Sequence, residues 1–284
     1  MPQAPGWLAL TLAHLGWRAP RLAPPERVAA THASGFFITG VMRSGTTVLQ
    51  RVVAHSLHTD YIRTESALRI PVESFEVLEK HQSYPIIGRD AFVAQYQRFL
   101  AGLWMAMHGT ISGETLVLKD PLALKSLVSF HALMPETKFI ISIRNPLSTA
   151  ASIYRVRNRQ REQGKNSFIT PMDFGDIVEY IAKLCEVIIS LREKDNVCIV
   201  KYEELVGRDP TLLRRLGQFM GTPVKLDIPD DSAAYDPAHA FWTVESGKEL
   251  CSNSLDKFQT ELTSDEIMLV HSRLARFCAL FGYA

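Results

Sequence analysis

Residues 36–47 read Phe-Phe-Ile-Thr-Gly-Val-Met-Arg-Ser-Gly-Thr-Thr, and this stretch decides the fold. An apolar run leads into a glycine-bearing turn that carries one arginine and ends in two hydroxyls. That is the pattern of a strand feeding an anion-cradling loop and then a helix. The helix is expected over the apolar-rich Thr47-Val48-Leu49-Gln50-Arg51-Val52-Val53. Gly40 and Gly45 keep the G-x-x-x-x-G spacing of a phosphate loop, but Thr46 stands where that motif carries lysine. A loop without the lysine must hold its anion differently, and Arg43 is the cation within it.

Outward from this unit, short apolar runs alternate with amphipathic stretches. Leu116-Val117-Leu118, residues 138–143 and Val197-Cys198-Ile199-Val200 read as buried strands. Helical periodicity covers 90–108, with Phe92, Tyr96, Phe99, Leu100 and Leu103 on one side, and 173–194, with Ile177, Ile181, Leu184, Ile188 and Leu191 in one stripe. Helices are also expected over 122–134, over 147–154 with Pro146 near its first turn, and over 211–220. Residues 65–80 read as loop followed by helix, and 155–165, dense in Arg and Gln, as an exposed loop or lid. Strands alternating with helices predict an α/β fold, a mostly parallel central sheet with helices on both faces. Ligands of such sheets bind beyond the carboxyl ends of the strands, and the notable residues here all follow strands.

The chain has 284 residues, 46% apolar and 21% charged, enough to fill the core of one large α/β domain, expected over 35–284. A net charge of +1 argues against a bulk nucleic-acid or membrane-surface binder, so any anion site must be local. Residues 1–34 read as a short amphipathic helix over 7–15 and a proline-rich linker over 20–25. The apolar stretch is too short to span a bilayer, so no integral membrane segment is expected. Cys185, Cys198, Cys251 and Cys278 lie far apart without a C-x-x-C pair, which favours reduced thiols and a cytoplasmic location. The nine histidines are scattered without metal-ligand spacing, so no metal is expected. A homodimer is left open.

A second strand–loop–helix unit reads Ile141-Ser142-Ile143-Arg144-Asn145-Pro146 through Ser152. Arg144 stands at a strand's carboxyl end, and Ser152 follows eight residues later, about two helical turns on. An arginine fork and a helix hydroxyl can hold a second phosphate. Alone, such an arginine better suits a helix cap or a carboxylate pair.

Together, G-x-x-R-S-G-T-T and R-N-P-x-x-x-x-x-S resemble the two cofactor motifs of sulfotransferases, which use 3′-phosphoadenosine-5′-phosphosulfate (PAPS). Lys119-Asp120-Pro121-Leu122-Ala123-Leu124-Lys125-Ser126-Leu127 closely resembles a segment of the tyrosylprotein sulfotransferases. Glu65-Ser66-Ala67-Leu68-Arg69-Ile70-Pro71 is similar to the acidic segment after their first helix, and residues 200–206 and 281–283 also fit. The resemblance implies a 5′-phosphosulfate site at Arg43, Ser44, Gly45, Thr46 and Thr47, and a 3′-phosphate site at Arg144 and Ser152. It implies Glu65 as general base, Lys119 and Arg43 as cations on the transferring group, and Tyr202 as a contact to adenosine; Tyr202 as a packing residue at the sheet edge is an equal reading.

Ser254-Leu255-Asp256-Lys257-Phe258 resembles the family's A-L-S-K-W element, which puts Lys257 near the 3′-phosphate, with Phe258 in place of tryptophan. Residues 243–251 are expected to add cofactor contacts. The family's transition-state serine falls without gaps on Phe241, with Thr243 and Ser246 nearby. His55 and His58 are alternative bases, because other sulfotransferase branches use histidine. Arg155 or Arg157 is a third phosphate contact that spacing does not decide between, and Lys125 and Ser126 read as helix-surface residues. The acceptor hydroxyl is left open between peptide tyrosine, carbohydrate, lipid and small natural product. A nucleotide kinase is disfavoured by Thr46, and a dead nucleotide-binding module by Glu65 and Lys119.

Overall fold

In β1 (Gly35–Gly40) successive side chains point to opposite faces, and both faces are apolar, so the strand must be covered on both sides. The structure, a computed structural model, describes residues 35–61, 67–84, 87–111, 113–231 and 257–283. Within them β1 is followed by α1 (Thr46–Ser56), α2 (Arg69–Lys80), α3 (Arg89–His108), β2 (Leu116–Lys119), a 3-10 turn (Pro121–Ser126) and α4 (Leu127–Leu133). Then come β3 (Lys138–Ile143), α5 (Pro146–Glu162), α6 (Phe174–Leu191), β4 (Val197–Lys201), α7 (Tyr202–Val206), α8 (Pro210–Met220), α9 (Phe258–Glu261) and α10 (Ser264–Phe281). The strands form one parallel sheet in the order β2-β1-β3-β4.

Two apolar layers sandwich this sheet. Phe36 and Ile38 of β1, with Val117, Ile140 and Val200, pack against Leu49, Val52 and Val53 of α1 and Leu212 and Leu216 of α8. Phe37, Leu118, Phe139 and Ile141 face the other way, onto a larger layer built from α2 to α6 and α10. Each fully buried Phe, Leu or Ile there contributes roughly 1.5–3 kcal/mol relative to exposure. The α/β expectation, with helices on both faces, holds.

Four local expectations are corrected. The 122–134 helix begins as a 3-10 turn, because Pro121 starts it and the Asp120 carboxylate caps it by accepting from Leu122 N at 2.9 Å. The 155–165 segment is not a loop: α5 runs on to Glu162, with Val156, Arg157 and Gln160 buried. Polar composition misleads there because these polar groups find local partners. Arg157 donates to Asn158 at 2.8 Å and lies 5.5 Å from the Tyr154 ring centroid, while Gln160 accepts from Ser167. Ser126 is buried and donates to Glu76 at 2.8 Å, whereas Lys125 does lie at the surface. On α3 the buried stripe is Phe92, Leu100 and Trp104, which leaves Phe99 on its margin and 53% exposed.

Cys185, Cys198 and Cys278 are buried free thiols, and burial pushes all three up, keeping them protonated. Among the described residues, no helix is long and apolar enough to cross a membrane. The expectations for residues 1–34, Glu65, residues 243–251, Cys251 and Phe241 lie outside the described residues.

One polar network positions the site's edge. Asp120 is fully buried and pairs with Arg69 Nε at 3.1 Å, while Arg69 also meets Glu73 at 3.1 Å. The Asp120 amide donates to Ile38 O at 3.0 Å, and Thr39 Oγ1 donates back to Asp120 O at 2.9 Å. The start of α2 is thereby strapped to the carboxyl ends of β1 and β2. Asp120→Ala removes one of Arg69's two carboxylate partners and uncaps Leu122, so unfolding in urea should show a loss of about 1–3 kcal/mol. Asp120→Asn, which retains the cap acceptor, should lose less.

Candidate active site

The chain leaves β1 toward β2 on one side and returns across it to β3 on the other. The strand order therefore reverses between β1 and β3, and ligands of open α/β sheets bind in the crevice at such a point. Gly40, opposite Ser142 in register, opens that crevice into the loop 40–45. A Cβ on Gly40 would sit 2.3 Å from Ser142 O, so the close approach of β1 to β3 requires glycine.

Ser44 is turned inward. Its amide donates to Val41 O at 3.0 Å and its hydroxyl to Ser142 O at 3.0 Å, while Ser142 Oγ donates to Ser44 O at 2.6 Å. Both of its donors are engaged within the protein, where they shape the loop. Gly45 begins α1 at φ 91°, and no side chain caps that helix. The amides of Gly45, Thr46 and Thr47 stand at a helix N-terminus suited to an anion.

Arg43 holds a left-handed backbone, φ 71°, which costs a non-glycine residue about 1–2 kcal/mol. That conformation accompanies a contact across the crevice, where Arg43 Nε donates to Ser152 Oγ at 3.3 Å. Arg144 Nη1 donates to Arg43 O at 3.3 Å, and its guanidinium lies 5.0 Å from the Tyr202 ring centroid. The two arginines and the serine, far apart in sequence, are thus brought together across the crevice. Tyr202 is buried, and its ring packs so close that a Cβ on Gly45 would lie 2.2 Å from it. Its observed contacts are with the loop and Arg144.

Ser152, Arg155 and Arg159 share one face of α5, being three and seven residues apart. Arg157 points elsewhere, against Tyr154 and Asn158, while Arg155 lies on the Ser152 face and pairs with Glu261. Arg159 was not anticipated, though its seven-residue spacing from Ser152 was readable. Burial, with the nearby charges of Arg144, Arg159 and Arg155, lowers the Arg43 guanidinium to about 10, opposed by Tyr202. Arg144 is lowered chiefly by burial and further by Arg155, while Tyr202, Glu203 and Tyr283 counter this. Both stay cationic at neutral pH, so repulsion is built into the site and a polyanion would relieve it.

Lys119 ends β2, 5% exposed, paired in register with Ile38 two residues before Gly40. The Asp120 bonds to Ile38 and Thr39 fix this end of β2 against the carboxyl end of β1. Lys257 precedes α9, which is tied to α5 by an Arg155–Glu261 ion pair. His55 and His58 lie at the other end of α1, roughly 13 Å or more from Thr46 at 1.5 Å per residue. His55 pairs there with Asp227 at 3.3 Å and His58 with Lys225 at 2.6 Å, which removes them as bases for chemistry at the loop.

A parallel sheet whose order reverses between a glycine-bearing anion loop and a second buried arginine defines a phosphate-loop α/β protein. The chain belongs to the sulfotransferase family, whose model matches residues 35–226, and so to a group of sulfuryl transferases. Among solved structures it is similar to the sulfotransferase domain of the Synechococcus PCC 7002 olefin synthase, with 18% identity over 90% of this chain and 97% of that one, at a TM-score of 0.54. The sulfotransferase domain from the curacin biosynthetic pathway is also similar, with 18% identity over 86% and 99% of the two chains, at 0.54. Mouse sulfotransferase SULT7A1, complexed with PAP, has 13% identity over 85% of each chain, at 0.50. At these identities the likeness concerns the fold. No curated protein matches significantly by sequence.

Proposed function

We propose that the protein transfers the sulfuryl group of PAPS to an acceptor hydroxyl by in-line displacement. The observation that carries this reading is the meeting of Arg43, Ser152 and Arg144 across the β1/β3 crevice, beside the uncapped N-terminus of α1. The site offers two anion positions, one for each phosphate end of such a donor. A neighbour of similar fold is complexed with PAP, which supports the same donor here.

PAPS supplies the sulfuryl group. The amides of Gly45, Thr46 and Thr47 bind the 5′-phosphate end, with Arg43 neutralising charge on the bridging and sulfuryl oxygens. Arg144 and Ser152 hold the 3′-phosphate, with Arg155 and Lys257 at its margin and Tyr202 fixing the loop against Arg144. Lys119 stabilises charge that develops in the transition state. Glu65, four residues before the strapped Arg69, takes the acceptor's proton. With fixed cations at the leaving group, a metal has no step to perform. The domain spans residues 35–284, with 1–34 as an appended arm.

The K-D-P and acidic segments concern the cofactor and the chemistry, so peptide tyrosine is one candidate acceptor beside a carbohydrate, lipid or small natural product. The test is transfer from PAPS in the presence of chelator to a panel of acidic tyrosine peptides, glycans and phenols. Metal-independent sulfation is the expected result, and activity only with ATP and magnesium would overturn the proposal.

A further inference from the structure

Tyr283 lies just beyond α10, where a Schellman closure places it: Gly282 adopts φ 65°, and the Tyr283 amide donates to Cys278 O at 2.9 Å. Its ring is parallel to that of Phe277, with centroids 6.0 Å apart, and Lys201 Nζ sits 5.1 Å from its centroid. The ring is therefore held from two sides, and the hydroxyl has a fixed direction. It donates to Glu203 Oε2 at 3.1 Å. The other oxygen, Glu203 Oε1, accepts from the Asn145 amide at 2.7 Å.

That amide belongs to the peptide that follows Arg144. Asn145 in turn starts α5, its Oδ1 accepting from Leu147 N at 2.8 Å and Ser148 N at 3.5 Å. One carboxylate thus fixes both the peptide plane beside Arg144 and the entry angle of the helix that carries Ser152. The bond from the Asn145 amide has the short length of a charge-assisted one. We propose that Tyr283 is a positioning residue for the donor's 3′-phosphate: through Glu203 and the Asn145 amide it sets Arg144 and the first turns of α5. This rests on the sulfotransferase reading above.

Burial and the neighbouring Glu203 push the Tyr283 phenol up, so it stays protonated and donates throughout the working pH range. Without the hydroxyl, one oxygen of Glu203 is released to turn toward the Arg144 guanidinium, whose charge it already supports. The carboxylate then competes with a phosphate for the same cation, and the Asn145 peptide loses its clamp.

The test is calorimetric affinity for PAP and for adenosine 5′-phosphate, which lacks the 3′-phosphate, in wild type, Tyr283→Phe, Arg144→Ala and the double variant. Tyr283→Phe should weaken PAP about tenfold, a change of about 1.4 kcal/mol, and leave adenosine 5′-phosphate within twofold. On the Arg144→Ala background the same change should add less than twofold. A purely structural role would lower the melting temperature and weaken both ligands alike, which overturns the inference. So does a Tyr283→Phe variant that binds PAP like wild type. A wild-type protein that fails to bind PAP instead sinks the donor assignment itself.

Discussion

Gly45→Ala is expected to weaken PAP binding at least 100-fold, about 2.7 kcal/mol, while Gly88→Ala leaves it unchanged. Both glycines have positive φ, so both substitutions carry backbone strain: about 1–2 kcal/mol for left-handed Gly45 at φ 91°, and no less for Gly88, whose φ 78° and ψ 157° lie where essentially only glycine is found. They differ in what the new methyl meets. At Gly88 nothing lies within 4 Å; at Gly45 the Tyr202 ring is 2.2 Å away. Tyr202 is buried and carries Arg144 above it, so it cannot retreat without disturbing the second phosphate position. The first-turn amides of α1 shift at the same time. Calorimetry on the two variants separates strain from clash. Equal losses at both positions would make strain the cause and remove Tyr202 from the account. Tyr202→Ala combined with Gly45→Ala should lose less affinity than the separate effects sum to, because the space is then available.

This coupling marks the limit of what the sequence discloses. The strands β1 and β3 are legible because each is a short unbroken apolar run, and a strand covered on both faces has no other composition open to it. Arg43, Arg144 and Ser152 are legible because two short motifs each place a cation or hydroxyl at a strand end or on the helix after it. That Gly45 must be glycine partly for the sake of Tyr202 is not legible, since the pair is joined only by the packing of β4 beside β3. The inward turn of Ser44 has the same origin, because its partner Ser142 lies on another strand. The 155–165 segment fails for a different reason. Charge density was read as exposure, whereas Arg157 and Gln160 are buried with partners a few residues away. The clamp from Tyr283 through Glu203 to Asn145 joins three segments, and none of its residue types is unusual where it stands.

Lys119 and Glu65 should separate chemistry from binding. Lys119 is almost wholly buried at the end of β2, in register with Ile38 of β1. A cation so placed gains most when charge builds on the oxygens in the transition state, and gains little from the bound donor at rest. Lys119→Met, which keeps the apolar stem, is therefore expected to lower kcat about 100- to 1000-fold, the usual effect of removing one preorganised donor. Donor affinity should stay within a few-fold. Glu65→Gln should show the same split, with a further signature: loss of the acidic limb of the pH–rate profile, because a base must be deprotonated to act. Single-turnover sulfation and PAP calorimetry on both variants provide the measurement. A Lys119→Met variant that loses affinity as steeply as turnover would make the lysine a third phosphate ligand. A Glu65→Gln variant with near-normal turnover would require the proton to leave by another group.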